Sequence, residues 1–490
     1  MKIHNIRFGF ATNSSSSHSI IFDPINYSLY SDSNDSESFG WNFFTLASKE
    51  AKDEYVTAML LQNISDGYNK NGFSNIFADI IVKGLGLKEL DLDEISIDHQ
   101  SLINLPLEYG TNHISVEFFQ EFYNYIMRDE IIIFGGNDNE EFDEYPQKKY
   151  DTSIDIALNG ILPKDCNASW VCRKDNDWWV LYNRANGARI IFSFLDNPEP
   201  FKPNTPILID FKLTQFCDIS CPYCFQGSTK EGQHIDTNNI YKFAEDIADA
   251  EVFEIAIGGG EPTKCPSFIS FITRLNNKGI KVNFTTKSIE WLENEPIANT
   301  VMNNIGAFAF SVGESFYKDI DTLNRIIAIM NYRKYDIKKF TVQAIPGVMS
   351  ELTLLQVLEW CHHNHIRVTL LGFKDTGRGA KFKEIAIKRK YNTFDETKFI
   401  DVIKKLYEQH KCPRIAIDTT LAKNCEHLLV ENNIPSWLYH IEEGKYSAYI
   451  DGVDMKFGPS SYHLDKLIDY LGDGWCENVI QNLFNKIEEV

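Results

Sequence analysis

Cys217, Cys221 and Cys224 place three thiols within eight residues, directly after the apolar run 207–213. A strand that runs into a ligand loop is the simplest structure for such a stretch, and one loop can then hold three irons. Three soft thiolates on one loop favour iron–sulfur or zinc ligation over inert burial. Ten cysteines in 490 residues, without the evenly spaced pairs of a secreted scaffold, fit reduced thiols better than a disulfide framework.

Zinc is the bland alternative. A structural zinc site takes four ligands, usually from two paired knuckles, and no second Cys-x2-Cys or His-x3-His stands nearby, although Cys265 is available as a fourth ligand. The other reading is an iron–sulfur cluster on three cysteines with one iron left open.

Around the cysteines the chain alternates strand and helix patterns, the signature of βα repeats. Strands are expected at 207–213, 252–257, 281–286, 307–312, 340–345 and 367–372, with helices such as 267–277 between them. Six parallel strands follow. Prolines at 198, 200, 203 and 206 mark an extended linker, which sets a boundary near residue 203. Before it, 178–182 and 188–194 read as a hairpin around Asn186-Gly187. The division is therefore 1–202, an N-terminal domain of unknown role for which substrate recognition is one reading; 203–390, the βα core; and 391–490, a helix-rich cap with a β-like passage at 447–457.

These residues resemble the defining loop of the radical S-adenosylmethionine (radical SAM) superfamily, where this spacing carries an aromatic residue just before the third Cys, as Tyr223 does here. The resemblance covers about residues 205–380. It implies an α/β fold: a partial (βα)6 TIM-like barrel, flanked here by an α+β N-terminal domain and a small C-terminal cap. It also implies a 4Fe-4S cluster on Cys217, Cys221 and Cys224, with S-adenosylmethionine chelating the open iron. In that family reductive cleavage of the cofactor yields a 5′-deoxyadenosyl radical that removes hydrogen from an unactivated carbon. A low-potential electron donor such as a flavodoxin or ferredoxin is implied as partner.

A second motif stands where the resemblance requires it. Gly258, Gly259, Gly260, Glu261 and Pro262 follow the expected strand 252–257 and resemble the family's Gly-Gly-Glu-Pro turn, although alone such a run signals only a turn. The resemblance implies close backbone approach of these glycines to the methionyl amine, with Glu261 accepting a charge-assisted hydrogen bond. Ser311 stands where the family often places a ribose contact. Gln343 and Leu371-Gly372-Phe373 match positions lining its cofactor pocket. Thr285-Thr286-Lys287-Ser288 departs from the common Thr-Asn-Gly turn.

The flanks are less informative. Residues 446–460 resemble the hairpin of the SPASM or twitch extension of peptide-modifying relatives, but Ser460 stands where Cys is usual. Cys412, Cys425 and Cys476 are few for an auxiliary iron–sulfur cluster, so a degenerate, cluster-free cap is expected. The Ser-rich tract 9–19 reads as a turn-rich terminus or a recognition tag or modification target, and the acidic stretch 135–144 as a solvated loop rather than a calcium site. Cys166 and Cys172 have no matching pair and read as structural thiols. The basic stretch 374–390 is a solvated face or, at a barrel mouth, an attractor of an acidic peptide or phosphorylated substrate.

A formal charge of −21 disfavours nucleic acid, and with no apolar run long enough for a bilayer the cytoplasm is the simplest location. A peptide or protein side chain is the expected substrate. A nucleotide or other small metabolite is the rival, and a non-enzymatic zinc protein the third reading.

Overall fold

The computed structural model describes residues 2–7, 20–22, 32, 39, 44–68, 116–129, 131–135, 170–184, 187, 189–195, 197–314, 316–388, 396–432, 434, 439, 441–470 and 478–487. The tract 9–19, the acidic residues 136–144, Cys166 and Cys476 lie outside the described residues. The chain divides into two compact units, Met1–Phe201 and Lys202–Val490. Among the described residues no helix is long and apolar enough to cross a membrane.

The first unit mixes helices Lys49–Tyr68 and Val116–Ile126 with two antiparallel sheets. Its strands are β1 (Lys2–Arg7), β2 (Ile20–Phe22), β3 (Phe44–Leu46), β4 (Ile132–Gly135), β5 (Trp170–Asp175), β6 (Trp178–Asn183) and β7 (Arg189–Ser193). One sheet has the order β1-β7-β6-β5 and the other β2-β4-β3. The expected hairpin is β6–β7, closed where the Gly187 amide donates to the Asn183 carbonyl at 2.7 Å and Gly187 takes φ +73°. Every residue of β6 is buried, so its two indoles need partners: Trp178 donates to the Glu199 carbonyl at 2.6 Å and Trp179 to the Glu121 carboxylate at 2.7 Å.

The second unit is α/β. It comprises β8 (Leu208–Thr214), β9 (Glu254–Gly259), β10 (Lys281–Thr286), β11 (Ala307–Ser311), β12 (Phe340–Ala344), β13 (Arg367–Leu370), β14 (Ile415–Ile417), β15 (Ser447–Asp451), β16 (Lys456–Gly458) and β17 (Ile468–Asp469). They form one sheet in the order β14-β13-β12-β11-β10-β9-β8-β15-β16-β17. Pairing is parallel from β14 through to β15 and antiparallel beyond. The six expected strands are β8–β13. The stretch 391–490, read from sequence as a separate cap, supplies β14 at one edge of this sheet and β15–β17 at the other.

Helices cross over between successive strands, among them Thr237–Asp249, Phe268–Asn277 and Phe316–Tyr332. Side chains alternate faces along a strand, and one face of β8 presents Ile209, Phe211 and Leu213 to the core. Across β10, β11 and β12 the register partners Phe284, Phe308 and Phe340 stack with centroids 6.0 and 5.2 Å apart. On the opposite face the same strands carry Thr285, Ala309, Thr341, Ser311 and Gln343. This face is small and polar, whereas a filled barrel interior takes branched apolar residues.

Candidate cofactor site

The loop after β8 is tied at both sides. The Phe216 amide donates to Thr214 Oγ1 at 3.0 Å, the Cys217 amide to the Thr229 carbonyl at 2.8 Å, and the Cys224 amide to the Cys221 carbonyl at 3.3 Å. Ser220 is held at φ +58°, a conformation that costs an L-residue energy and that here turns the chain between the first two cysteines. The backbone N–H groups of Ile219 and Ser220 favour the Cys217 thiolate against its burial. The three thiols are free and partly exposed. Burial pushes the Cys217 and Cys221 thiols up, and at Cys221 the Lys287 ammonium opposes that rise. Metal binding must therefore displace protons.

Tyr223 is buried and packs edge-on against Phe382 with centroids 5.7 Å apart. Burial first, and then the neighbouring Cys221, Glu314 and Asp319, keep its hydroxyl protonated. Tyr223 thus supports the loop from behind.

The glycine turn packs directly on the chain that leads to Cys217. A Cβ on Gly260 would lie 1.9 Å from the Phe216 carbonyl oxygen, and one on Gly259, at φ +107°, would lie 2.4 Å from that of Thr214. The Gly260 and Glu261 amides donate to these same carbonyls at 2.7 and 2.8 Å. Two of the three glycines therefore have a protein contact as their reason. Only Gly258 looks into open space, with no atom within 4 Å of its ideal Cβ.

Glu261 is engaged by the protein's own donors. Its Oε1 accepts from Thr263 Oγ1 at 2.6 Å, Thr286 Oγ1 at 2.7 Å and the Thr263 amide at 3.3 Å, and its Oε2 accepts from the Lys287 amide at 2.9 Å. The residue is 2% exposed. Burial raises its pKa and these hydrogen bonds oppose the rise. The carboxylate braces the end of β9 to the end of β10.

Lys287 continues the tie to β11. Its ammonium donates to the Ser311 carbonyl at 2.9 Å and to Asp319 Oδ2 at 3.1 Å, and Asp319 Oδ2 accepts the Gly313 amide at 2.7 Å. Ser311 and Gln343 are register partners on the polar face, with Ser311 Oγ 3.5 Å from Gln343 Oε1, the long limit of a hydrogen bond. Leu371-Gly372-Phe373 follows β13, where Gly372 lies against Thr420 and Leu421.

Sequence reading missed the strap after β13. Arg378 Nε donates to the Cys221 carbonyl at 2.9 Å, its Nη1 to the Ser228 carbonyl at 2.7 Å, and its own amide to the Cys224 carbonyl at 2.9 Å. Thr376 Oγ1 reaches the Phe225 carbonyl at 3.2 Å. The basic composition of 374–390 was visible, but nothing along the chain says that one of these cations folds back onto the cysteines.

The residues fit the implied cluster. Three thiols, a glycine open to the polar face and the buried Nη2 of Arg378, which has no acceptor among the described residues, suit an anionic group at this end of the sheet. Among the described residues no three His, Cys, Asp or Glu side chains converge on a single ion position. Ligation of a cluster, in which each thiolate takes its own iron, does not ask for that convergence. In the C-terminal stretch, Ser460 is buried and bonded to His463 Nδ1 at 2.7 Å, and Cys425 is buried in the core.

A parallel α/β sheet whose strand ends carry a three-cysteine loop and a glycine turn is the arrangement the radical SAM resemblance implies. Residues 211–348 match the family model described as the Radical SAM superfamily, so the chain carries a radical SAM domain over that range. Mycofactocin maturase MftC of Mycobacterium ulcerans (strain Agy99) is 28% identical over 87 residues, covering 18% of this chain and 24% of that protein. The PqqA peptide cyclase of Ruegeria pomeroyi is 28% identical over 94 residues, 19% of this chain and 25% of that one. The match thus spans about a quarter of the length of these curated relatives. Among solved structures, Streptococcus suis SuiB bound to precursor peptide SuiA aligns with a TM-score of 0.45 at 12% identity, covering 65% of this chain and 86% of that one.

Proposed function

We propose that this chain is a peptide- or protein-modifying radical SAM enzyme in which Cys217, Cys221 and Cys224 hold a 4Fe-4S cluster. The observation that carries this reading is the convergence of the cysteine loop, Gly258 and the Ser311–Gln343 pair at the same ends of β8, β9, β11 and β12. Cluster and S-adenosylmethionine, when bound, supply one-electron hydrogen-abstraction chemistry. The chain's own part is positioning. Gly258 gives a ligand room at the turn, Ser311 and Gln343 offer hydroxyl and amide groups to the cofactor's polar edge, and Tyr223 with Glu261 keeps loop and turn in place.

A peptide substrate is supported by the curated relatives, one named a maturase and the other a peptide cyclase. The metabolite reading leans on the basic stretch 374–390, and two of its cations are committed within the protein. Arg378 is bound to the cysteine loop, and the Lys374 ammonium lies 4.9 Å from the Phe225 ring centroid and 4.7 Å from that of Tyr462. The role of residues 1–202 in this reading is substrate capture, and the electron comes from a low-potential donor of the flavodoxin or ferredoxin kind.

The test is anaerobic reconstitution, expected to give about four irons per chain and dithionite-dependent formation of 5′-deoxyadenosine. Purified protein that holds zinc and forms no deoxyadenosine overturns the enzyme reading. Fractionated extract from the source cells then separates the substrates: a mass change in the small-peptide fraction is expected. Turnover confined to the metabolite fraction overturns the peptide half.

A further inference from the structure

We infer that Arg378 is a positioning residue for the cysteine loop and that its guanidinium raises the reduction potential of the cluster held there. This rests on the cluster reading above and adds to it a residue outside both sequence motifs.

The geometry is that of a fork. Nε and Nη1 of one planar group hold the carbonyls of Cys221 and Ser228, at 2.9 and 2.7 Å, and so grip the loop on either side of Cys224. The backbone follows the same course, since the Arg378 amide donates to the Cys224 carbonyl at 2.9 Å. Gly377 makes this approach possible. It adopts φ +56°, and a Cβ there would lie 2.4 Å from the Phe225 carbonyl oxygen and 2.8 Å from the Gly227 nitrogen. A lysine cannot copy the fork, because an ammonium is a point donor on a flexible stem.

The charge is the second half of the argument. Nη2 of Arg378 is buried with no hydrogen-bond partner among the described residues. A buried cationic donor without an acceptor is costly. An iron–sulfur cluster on three thiolates is an anion, and it gains a further negative charge on reduction. A guanidinium beside its loop therefore stabilises the reduced form more than the oxidised form, which moves the potential upward.

The experiment uses the full chain, reconstituted anaerobically without S-adenosylmethionine, as wild type, R378Q and R378K. Midpoint potential is followed by paramagnetic resonance during redox titration, and cluster loss by iron release to a chelator. R378Q is expected to lower the potential and to release iron about tenfold faster, the scale of a lost outer-sphere contact to a metal site. R378K is expected to keep the potential near that of wild type while still losing iron faster, which separates charge from fork. An R378Q protein with wild-type potential overturns the charge assignment, and wild-type iron release from R378K overturns the positioning role, even if R378Q fails to fold. A wild-type chain that takes up no cluster overturns the underlying cluster reading instead, a result distinct from both.

Discussion

Thr286 Oγ1 donates to Glu261 Oε1 at 2.7 Å, joining the last residue of β10 to the turn that follows β9. A carboxylate with this partner and the Thr263 and Lys287 donors is a brace. Glu261→Ala should cost about 3 kcal/mol in urea unfolding, because several buried donors lose their acceptor together. Unchanged stability with S-adenosylmethionine binding lost would instead make Glu261 a direct ligand.

The glycines of the turn should separate in the same way. Gly260→Ala forces a methyl into the Phe216 carbonyl, and a loss of about 2 kcal/mol with poorer iron retention is expected. Gly258→Ala has room and should leave stability and iron content as in wild type while weakening S-adenosylmethionine binding. Calorimetric titration of the reconstituted proteins, beside thermal unfolding, checks both.

Ser311→Ala and Gln343→Ala should each weaken S-adenosylmethionine binding by about three- to tenfold, the worth of one neutral hydrogen bond. Iron content should not change, since the side-chain hydrogen bond of this pair is to each other and not to the cysteine loop. Wild-type affinity in both variants would remove them from the cofactor's surroundings.

Replacing Cys217, Cys221 and Cys224 together by Ala should abolish iron uptake and deoxyadenosine formation while leaving the circular dichroism of the fold in place. Residual iron–sulfur absorption in that variant would reveal an auxiliary cluster elsewhere in the chain.

Glu443 carries a pH signature. Burial, set against the Lys374 ammonium and reinforced by Asp210 and Asp418, raises its pKa to about 7 from an ordinary 4.5. Between these values the folded chain keeps a proton that the unfolded chain has lost, so this group's contribution to stability falls as pH rises from 4.5 to about 7. Glu443→Gln should therefore become more stable relative to wild type across that window. Parallel denaturation curves for the two proteins from pH 4.5 to 7 would remove the burial argument.

Much of the core was legible along the chain. The expected strand 281–286 coincides with β10, and 307–312 and 340–345 overrun β11 and β12 by one residue each. Parallel strands covered by helices read as apolar runs bounded by turns, and the alternation that faces Phe284, Phe308 and Phe340 to the core also leaves Ser311 and Gln343 on the other side. The hairpin at Gly187 was legible because its turn residue needs a positive φ. The participation of β14 and β15 was not. Those strands reach the sheet after long connections, and their partners, β13 and β8, are distant in sequence.

By itself, then, the sequence determined the three-thiol loop, the glycine turn and the succession of βα units, since each is a local pattern with a local physical cause. Tertiary structure alone decided what the neighbours of those motifs do. It gave Glu261 four donors from the protein itself, gave Gly259 and Gly260 a packing role and left Gly258 the open one, and brought Arg378 back to a cysteine 157 positions earlier. Each of these is a hydrogen bond or a steric limit between segments far apart in the chain, and it exists only once the sheet has brought the strand ends together.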